Sequence, residues 1–369
     1  MRIAVVFGLL TSVMLAACSS VPSSPNPSPM PLPSLPKLSR APEFKGLGPW
    51  HNSEPFTLAD LKGKVVLVDF WTYSCINCIR TLPYMQRLWE KYDTGTLAPH
   101  RTTEGSSGAG FVLLGVHSPE FAFEKLEKNV KEAIKRHGLT YPIAQDNDFG
   151  TWRAFANRYW PAKYLIDAEG YIRYTHFGEG AYEETDLAIQ SLLAEIGART
   201  EGTEGIESNE SNEGVNGRRD QTPETYLGER SFSALGNGAH SPTDEVVTYE
   251  APEELALHKY YLVGEWQMRD RERQVLLSDE GEIRMKFLGA EMNLVLGLES
   301  VMLPARRSSK SEGGSGVQAD IEVDGEHSKT ITIDKNDLFN LFTGEYGEHE
   351  VILRIHDPGV AGYAFTFGS

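Results

Sequence analysis

The sequence predicts an α/β fold, a mixed sheet covered by helices, followed by an all-β sandwich. Between residues 44 and 197, short Val-rich apolar runs alternate with stretches whose apolar residues recur at helical spacing, and the series closes on a hairpin. That alternation implies strands with helices packed on both faces. From 223 to 369 the apolar runs are short, β-rich and separated by Gly, Asp or Glu turns, which implies an antiparallel sandwich. Between the two lies 198–222, where Glu recurs among Gly, Ser and Asn and no aromatic appears. Such a stretch cannot offset its ordering entropy by burial, so it reads as a disordered acidic linker.

The elements of the first domain follow in order. "KVVLVDFW" (64–71) is a continuous apolar run suited to a strand buried on both faces. After it, Leu82, Met85, Leu88, Trp89 and Tyr92 form one apolar stripe of a helix. Residues 93–110, rich in Gly, Ser and Thr, read as an insertion without chemistry of its own. "GFVLLGVHS" (110–118) is a second buried strand, and 121–138 a charged helix stopped by Gly138. A short strand near 141–145, a helix over 149–158, strands "AKYLID" and "YIRYTHF" around Asp167-Ala168-Glu169-Gly170, and a closing helix at 183–196 complete it.

Ahead of this domain, Arg2 precedes an uncharged run from Ile3 to Ala17, which reads as a secretory signal over 1–17. The run is short for a membrane span. Leu15-Ala16-Ala17-Cys18 resembles the lipobox of bacterial lipoproteins, in which the cysteine becomes the lipidated first residue. Residues 18–43 would then be the lipidated Cys18 and a Ser/Pro-rich extended spacer. Ser19 in the next position favours the outer membrane by the usual sorting pattern, giving a periplasm-facing lipoprotein of the cell envelope. The formal charge of −17 argues against nucleic acid or anionic lipid as partners. Solubility alone is sufficient reason for the acidity.

Three cysteines occur, and if Cys18 is anchor chemistry only Cys75 and Cys78 remain as thiols. Exported chains live where disulfides persist, but a single pair in a chain this long is not a disulfide framework. Cys75 falls at a strand-to-helix junction, where unsatisfied N–H groups and the helix dipole favour negative charge. Cys78 lies one turn on and on the same face, within reach of it. A stabilised outer thiolate with a resolving partner at hand is what thiol-disulfide exchange requires.

"VDFWTYSCINC", with Pro83 five residues after the second cysteine, resembles the thioredoxin superfamily motif, and Trp160-Pro161 matches the position of that family's cis-proline. "PFTLADLKGKVVLVDFWTYSCINCIRTLPY", "GVHSPEFAFEK" and "PETYLGERSFS" together resemble the exported portion of DipZ-type thiol-disulfide proteins, relatives of the TlpA and redoxin groups, over about residues 44–369. The resemblance implies a thioredoxin-like fold over 44–197 and a domain similar to carbohydrate-binding modules over 223–369. It makes Cys75 the nucleophile, Cys78 the resolving thiol and Asp69 the buried carboxylate that exchanges the Cys78 proton. Burial raises a carboxylate's pKa towards that task, and a charge inside "VVLVDFWT" is costly without a purpose; a satisfied structural Asp is the alternative. Pro161 would present backbone to a protein substrate's chain, with Trp160 and Trp71 walling the sulfurs unless they are simply core.

No cofactor is implied. The partners implied are protein disulfides or thiols, the membrane through the lipid anchor, and a membrane electron-transfer protein of the CcdA/DsbD type, since DipZ-type relatives carry such a domain ahead of this portion. The dipeptide Ile76-Asn77 is neither the Gly-Pro of reducing thioredoxins nor the Pro-His of strong oxidants, so it does not assign a potential. Reduction is favoured over oxidation because DipZ-type relatives receive electrons. His117 at the end of a buried strand raises soft-metal binding as an alternative use of the pair, but the wider cysteine spacing of copper-delivery relatives is missing, and no metal site is assigned. In the second domain Tyr260, Tyr261 and Trp266 suggest either a sugar-stacking platform or core. The competing functional reading is an envelope binding protein whose sandwich recognises a glycan or protein, with the dithiol domain accessory.

Overall fold

The seven residues of β3 (Val65–Trp71) are all buried, and the rest of the first sheet is built around this strand. This computed structural model describes residues 32–92, 110–198, 220–239, 242, 244–299 and 316–368. The expectations for 1–17, for Cys18, for most of the linker and for the insertion at 93–110, Gly110 apart, lie outside these residues.

On one side β3 runs parallel to β4 (Phe111–His117), from Val65 opposite Phe111 to Trp71 opposite His117, and β4 runs parallel to β5 (Ile143–Gln145). On the other side β6 (Ala162–Ile166) is antiparallel to β3, and β7 (Tyr171–Phe177) to β6. Short strands β1 (Ser39–Arg40) and β2 (Trp50–His51) close the edges, giving the order β1-β7-β6-β3-β4-β5-β2. The period of two sends Val65, Leu67 and Trp71 to one face and Val66, Val68 and Phe70 to the other. The first face packs α1 (Ile76–Tyr92), α2 (Glu127–Arg136) and α4 (Tyr182–Glu195); the second is covered by Phe155, by Trp152 of α3 (Gly150–Ala154) and by the segment around Phe44 and Phe56. All five residues of the expected apolar stripe of α1 are buried.

Two helices differ from expectation. The stretch 121–138 begins as a 3₁₀ turn at 122–125, is interrupted at the extended Leu126, and continues as α2. The interruption comes where the Glu124 side chain folds back to accept the N–H groups of Glu120 and Phe121 instead of pointing outward. The helix expected over 149–158 is confined to α3, because Ala156 turns the chain at a φ of 51°.

The second domain is all-β. Strands β8 (Thr225–Tyr226), β9 (Val246–Tyr249), β10 (Lys259–Arg269), β11 (Arg273–Leu276), β12 (Gly281–Leu298), β13 (Val317–Val323), β14 (Glu326–Ile333), β15 (Asp337–Ile355) and β16 (Val360–Gly368) pair antiparallel throughout. Hydrogen bonding links them into one continuous sheet. The reason lies in β12: its first part pairs β10, it shifts register at Gly289/Glu291, and its second part pairs β16. Since β11 joins β10 to β16, the hydrogen bonding closes on itself through this one long strand. Tyr260, Tyr261 and Trp266 are core residues, 0%, 5% and 0% exposed, which removes them as a sugar platform.

The described residues from Pro33 onward form one compact unit. Val275, Val295, Ala361, Tyr363 and Ala364 of the second domain join the apolar cluster of the first. Tyr363 lies against Phe121 and Phe123, with ring centroids 5.1 and 5.0 Å away. Around this apolar contact, Arg136 binds Asp337, Arg80 binds Glu291, and Glu120 accepts from Tyr226 and Arg230, each at 2.7 Å. Among the described residues no helix is long and apolar enough to cross a membrane.

Candidate active site

Strand β3 ends at Trp71, and residues 72–75 turn the chain into α1. Cys75 is the residue before the helix: its carbonyl accepts the Ile79 N–H at 2.9 Å, the first helical bond. Its sulfur accepts the Cys78 N–H at 3.2 Å, so the thiol fills the place an Asp or Ser side chain takes at other helix starts. Cys78 Sγ is 2.7 Å from Cys75 Sγ, and both cysteines are free. Cys75 is half-buried and Cys78 fully buried, so an incoming disulfide meets the outer sulfur first. Burial, the Cys75 sulfur beside it and the charge of Asp69 push the Cys78 thiol well above its usual range. The inner thiol therefore needs help to lose its proton.

Asp69 is on the face of β3 that packs α1, with neither carboxylate oxygen hydrogen-bonded to protein. Burial pushes its carboxyl up to about 6, against the pull of Lys163. Lys163 of β6 stands directly opposite Asp69 in the antiparallel ladder. It is fully buried, and its Nζ is without a hydrogen-bond partner in the protein. Burial lowers its pKa while Asp69, Cys78 and Glu179 hold it up. The sequence carried the signal for it, a lysine inside the apolar run "AKYLID", equal in kind to the aspartate inside "VVLVDFWT".

The turn before Cys75 is held from a distance. Glu124 is fully buried; one carboxylate oxygen accepts Ser74 Oγ–H at 2.7 Å and Ser74 N–H at 3.3 Å, the other the Phe121 N–H at 3.0 Å. Burial pushes this carboxyl up to about 7, opposed by hydrogen bonds from the Thr72 and Ser74 side chains and the Phe121 backbone. Nothing in local sequence marks Glu124 as a partner of Ser74.

The Trp160–Pro161 bond is cis. Ala162 faces Phe70 across the ladder, so the register carries Pro161 to the end of β3, next to the turn that leads into Cys75. Trp160 is half-buried at the edge of the first-face cluster; its indole N–H donates to the Ser118 carbonyl at 3.0 Å and its ring lies 4.2 Å from that of Trp152. Of the two roles open to Trp71, wall of the sulfurs or core, its burial fits the core. It is 0% exposed, on the helix-covered face against His117 and Gly115, and offers no surface to a substrate. His117, raised above as a metal ligand, is buried between Trp71 and Tyr73, and burial lowers it to about 3, a neutral core histidine. Among the described residues no group of three or more His, Cys, Asp or Glu is arranged to hold a metal ion.

A dithiol at the start of the helix that follows the central strand of this mixed sheet defines a thioredoxin-like domain. Comparison with known proteins gives the particular group. Residues 37–189 match the Redoxin family model, and residues 222–368 match that of the Thioredoxin like C-terminal domain. Protein DipZ of Mycobacterium tuberculosis (strain CDC 1551 / Oshkosh) is 34% identical over 267 residues, 71% of this chain and 36% of that one. Thiol-disulfide oxidoreductase YkuV of Bacillus subtilis (strain 168) is 27% identical over 154 residues, 42% of this chain and 94% of that one. A crystal structure of a thiol:disulfide interchange protein from Chlorobium tepidum TLS is 25% identical, covering 42% of this chain and 96% of that one at a TM-score of 0.33. The two domains and these relatives support a TlpA/DipZ-like protein of the thioredoxin superfamily. The chain spans about a third of the DipZ relatives' length.

Proposed function

We propose that this chain is an exported, lipid-anchored thiol-disulfide oxidoreductase that reduces or isomerises disulfides of other envelope proteins. The observation that carries the reading is the unequal pair: a half-buried Cys75 capping α1 and a fully buried Cys78 2.7 Å behind it. In this reading the Cys75 thiolate attacks a substrate disulfide, forming a mixed disulfide and releasing one substrate thiolate. Asp69 takes the Cys78 proton, the Cys78 thiolate attacks Cys75 Sγ, and the second substrate sulfur leaves, closing the Cys75–Cys78 disulfide. Pro161, which the register brings to the end of β3, and Trp160 before it would offer backbone and ring to the substrate chain. Two electrons must then re-reduce the pair; a membrane protein of the CcdA/DsbD type, reached by a chain tethered through Cys18 and its Ser/Pro spacer, would supply them.

Insulin-disulfide reduction with dithiothreitol, comparing the full chain with its Cys75→Ser variant, tests the activity. Loss in the variant is expected, and equal rates in both would remove the assignment. The direction is tested by the reduction potential of the pair. A value near that of thioredoxin, about −270 mV, supports reduction, while one near DsbA, about −120 mV, reverses it.

A further inference from the structure

Asp69 and Lys163 are two oppositely charged side chains, 1% and 0% exposed, whose polar atoms make no hydrogen bond within the protein. Buried charges are ordinarily retained only when hydrogen-bonded and paired, and an apolar pair would pack this sheet as well or better. Their position gives the reason. Both project from the face of the sheet that packs α1, the helix carrying Cys78, and each interacts electrostatically with that sulfur.

We propose that Lys163 is an electrostatic positioning residue of the dithiol site, holding the negative charge that passes between Asp69 and Cys78 when the inner thiol is deprotonated. The inference rests on the functional reading above. Before resolution the buried set is Asp69 carboxylate, Cys78 thiol and Lys163 ammonium. The proton moves from Cys78 Sγ to Asp69, leaving a thiolate, a neutral carboxyl and the same ammonium. The thiolate attacks Cys75 Sγ, the bond from Cys75 to the substrate sulfur breaks, and the substrate leaves as a thiolate. The three-group set carries no net charge before or after the proton moves, so neither state leaves an uncompensated buried anion. Without the ammonium both states would, and Asp69 would keep its proton at neutral pH, unable to take another. The other titratable groups here are Cys75 and Tyr141 towards Asp69 and Cys78, and Glu179 and His176 towards Lys163.

Replacement of Lys163 by methionine keeps the volume and removes the charge. It does not strand Asp69, which answers by holding its proton, so the fold is retained. The probe is 5,5′-dithiobis-(2-nitrobenzoate) mixed by stopped flow with the reduced full chain in a Cys18→Ser background. Cys75 releases the first nitrothiobenzoate and Cys78, on resolution, the second. The expected result is a first phase like the parent's and a second phase slower by roughly tenfold or more at pH 7, the loss shrinking as pH rises, since one pKa unit is a factor of ten. A denaturation midpoint at pH 7 no lower than the parent's is expected beside it. Superposable second-phase pH profiles would overturn the proposal. So would an equal slowing of both phases with a lowered midpoint, which marks a structural lysine. Neither outcome depends on insulin reduction by the wild-type chain, so failure here is distinct from failure of the functional reading.

Discussion

The Asp69 carboxyl sits in the structure at a measurable cost, which Asp69→Asn should reveal. Its folded-state pKa is about 6 against 3.8 unfolded, so ionising it costs about 3 kcal/mol more in the folded chain than in the unfolded one. A raised acid stabilises the fold below the unfolded pKa and loses that contribution as pH climbs through the folded one. Here the loss falls between 3.8 and about 6 and is complete at neutral pH. Breaking a buried ion pair ordinarily destabilises by leaving its partner uncompensated. In this pair the outcome reverses, because the value near 6 already includes the pull of Lys163 and desolvation still exceeds it. An asparagine, resembling the protonated carboxyl, should therefore raise stability at pH 7 by up to about 3 kcal/mol and leave it nearly unchanged below the unfolded pKa. Urea denaturation of the reduced chain at pH 7 and at about pH 3.5, followed by tryptophan fluorescence, measures both ends. A less stable variant at pH 7 would show that the Lys163 attraction outweighs burial and would refute the reasoning.

Glu124→Gln cannot supply acceptors from both oxygens and turns an amide donor towards the N–H groups it replaces. A loss of about 1–3 kcal/mol in urea denaturation is expected, with faster alkylation of Cys75 as the Ser74 turn loosens; unchanged stability would mean the turn holds itself. Tyr363→Ala opens a cavity between Phe121, Phe123 and the second sheet and should cost about 3 kcal/mol or more. A wild-type denaturation midpoint in that variant would show that the shared cluster contributes little.

Elements whose signal is local were legible. β3 declared itself as a Val-rich run and α1 as an apolar stripe, because burial on one or two faces is written in neighbouring residues. The dithiol was legible through spacing alone. Features settled by distant partners were not. The interruption of 121–138 depends on Glu124 reaching Ser74, 50 residues earlier. Trp71 and Trp160 read alike in the sequence, but the period of the strand decides that Trp71 faces the covered side, while Trp160 stays half-buried at the rim of the same cluster. Lys163 was readable by the rule that singled out Asp69, yet its meaning needs the pairing of β6 with β3, which sequence does not state. The continuous sheet of the second domain depends on where the pairing of β12 passes from β10 to β16, and such a change of partner leaves little trace in composition.

The contact between the two domains bears on what the second one is for. The segment 118–126 is held on three sides: its Glu124 carboxylate ties the turn before Cys75, its Phe121 and Phe123 pack on Tyr363, and its Glu120 accepts from Tyr226 and Arg230. Two residues beyond Cys78, Arg80 joins Glu179 of the first domain to Glu291 of the second. A ligand-binding module on a flexible tether would share no core with its neighbour and would expose its large aromatics. This domain does neither, since Tyr260, Tyr261 and Trp266 are inside and Tyr363 completes the first domain's cluster. The apolar contact buries the aromatic residues of the segment that ties the turn before Cys75, and the Arg80–Glu291 ion pair joins α1 to the second domain. The second domain is thereby tied to the turn before Cys75 and to the helix that carries Cys78.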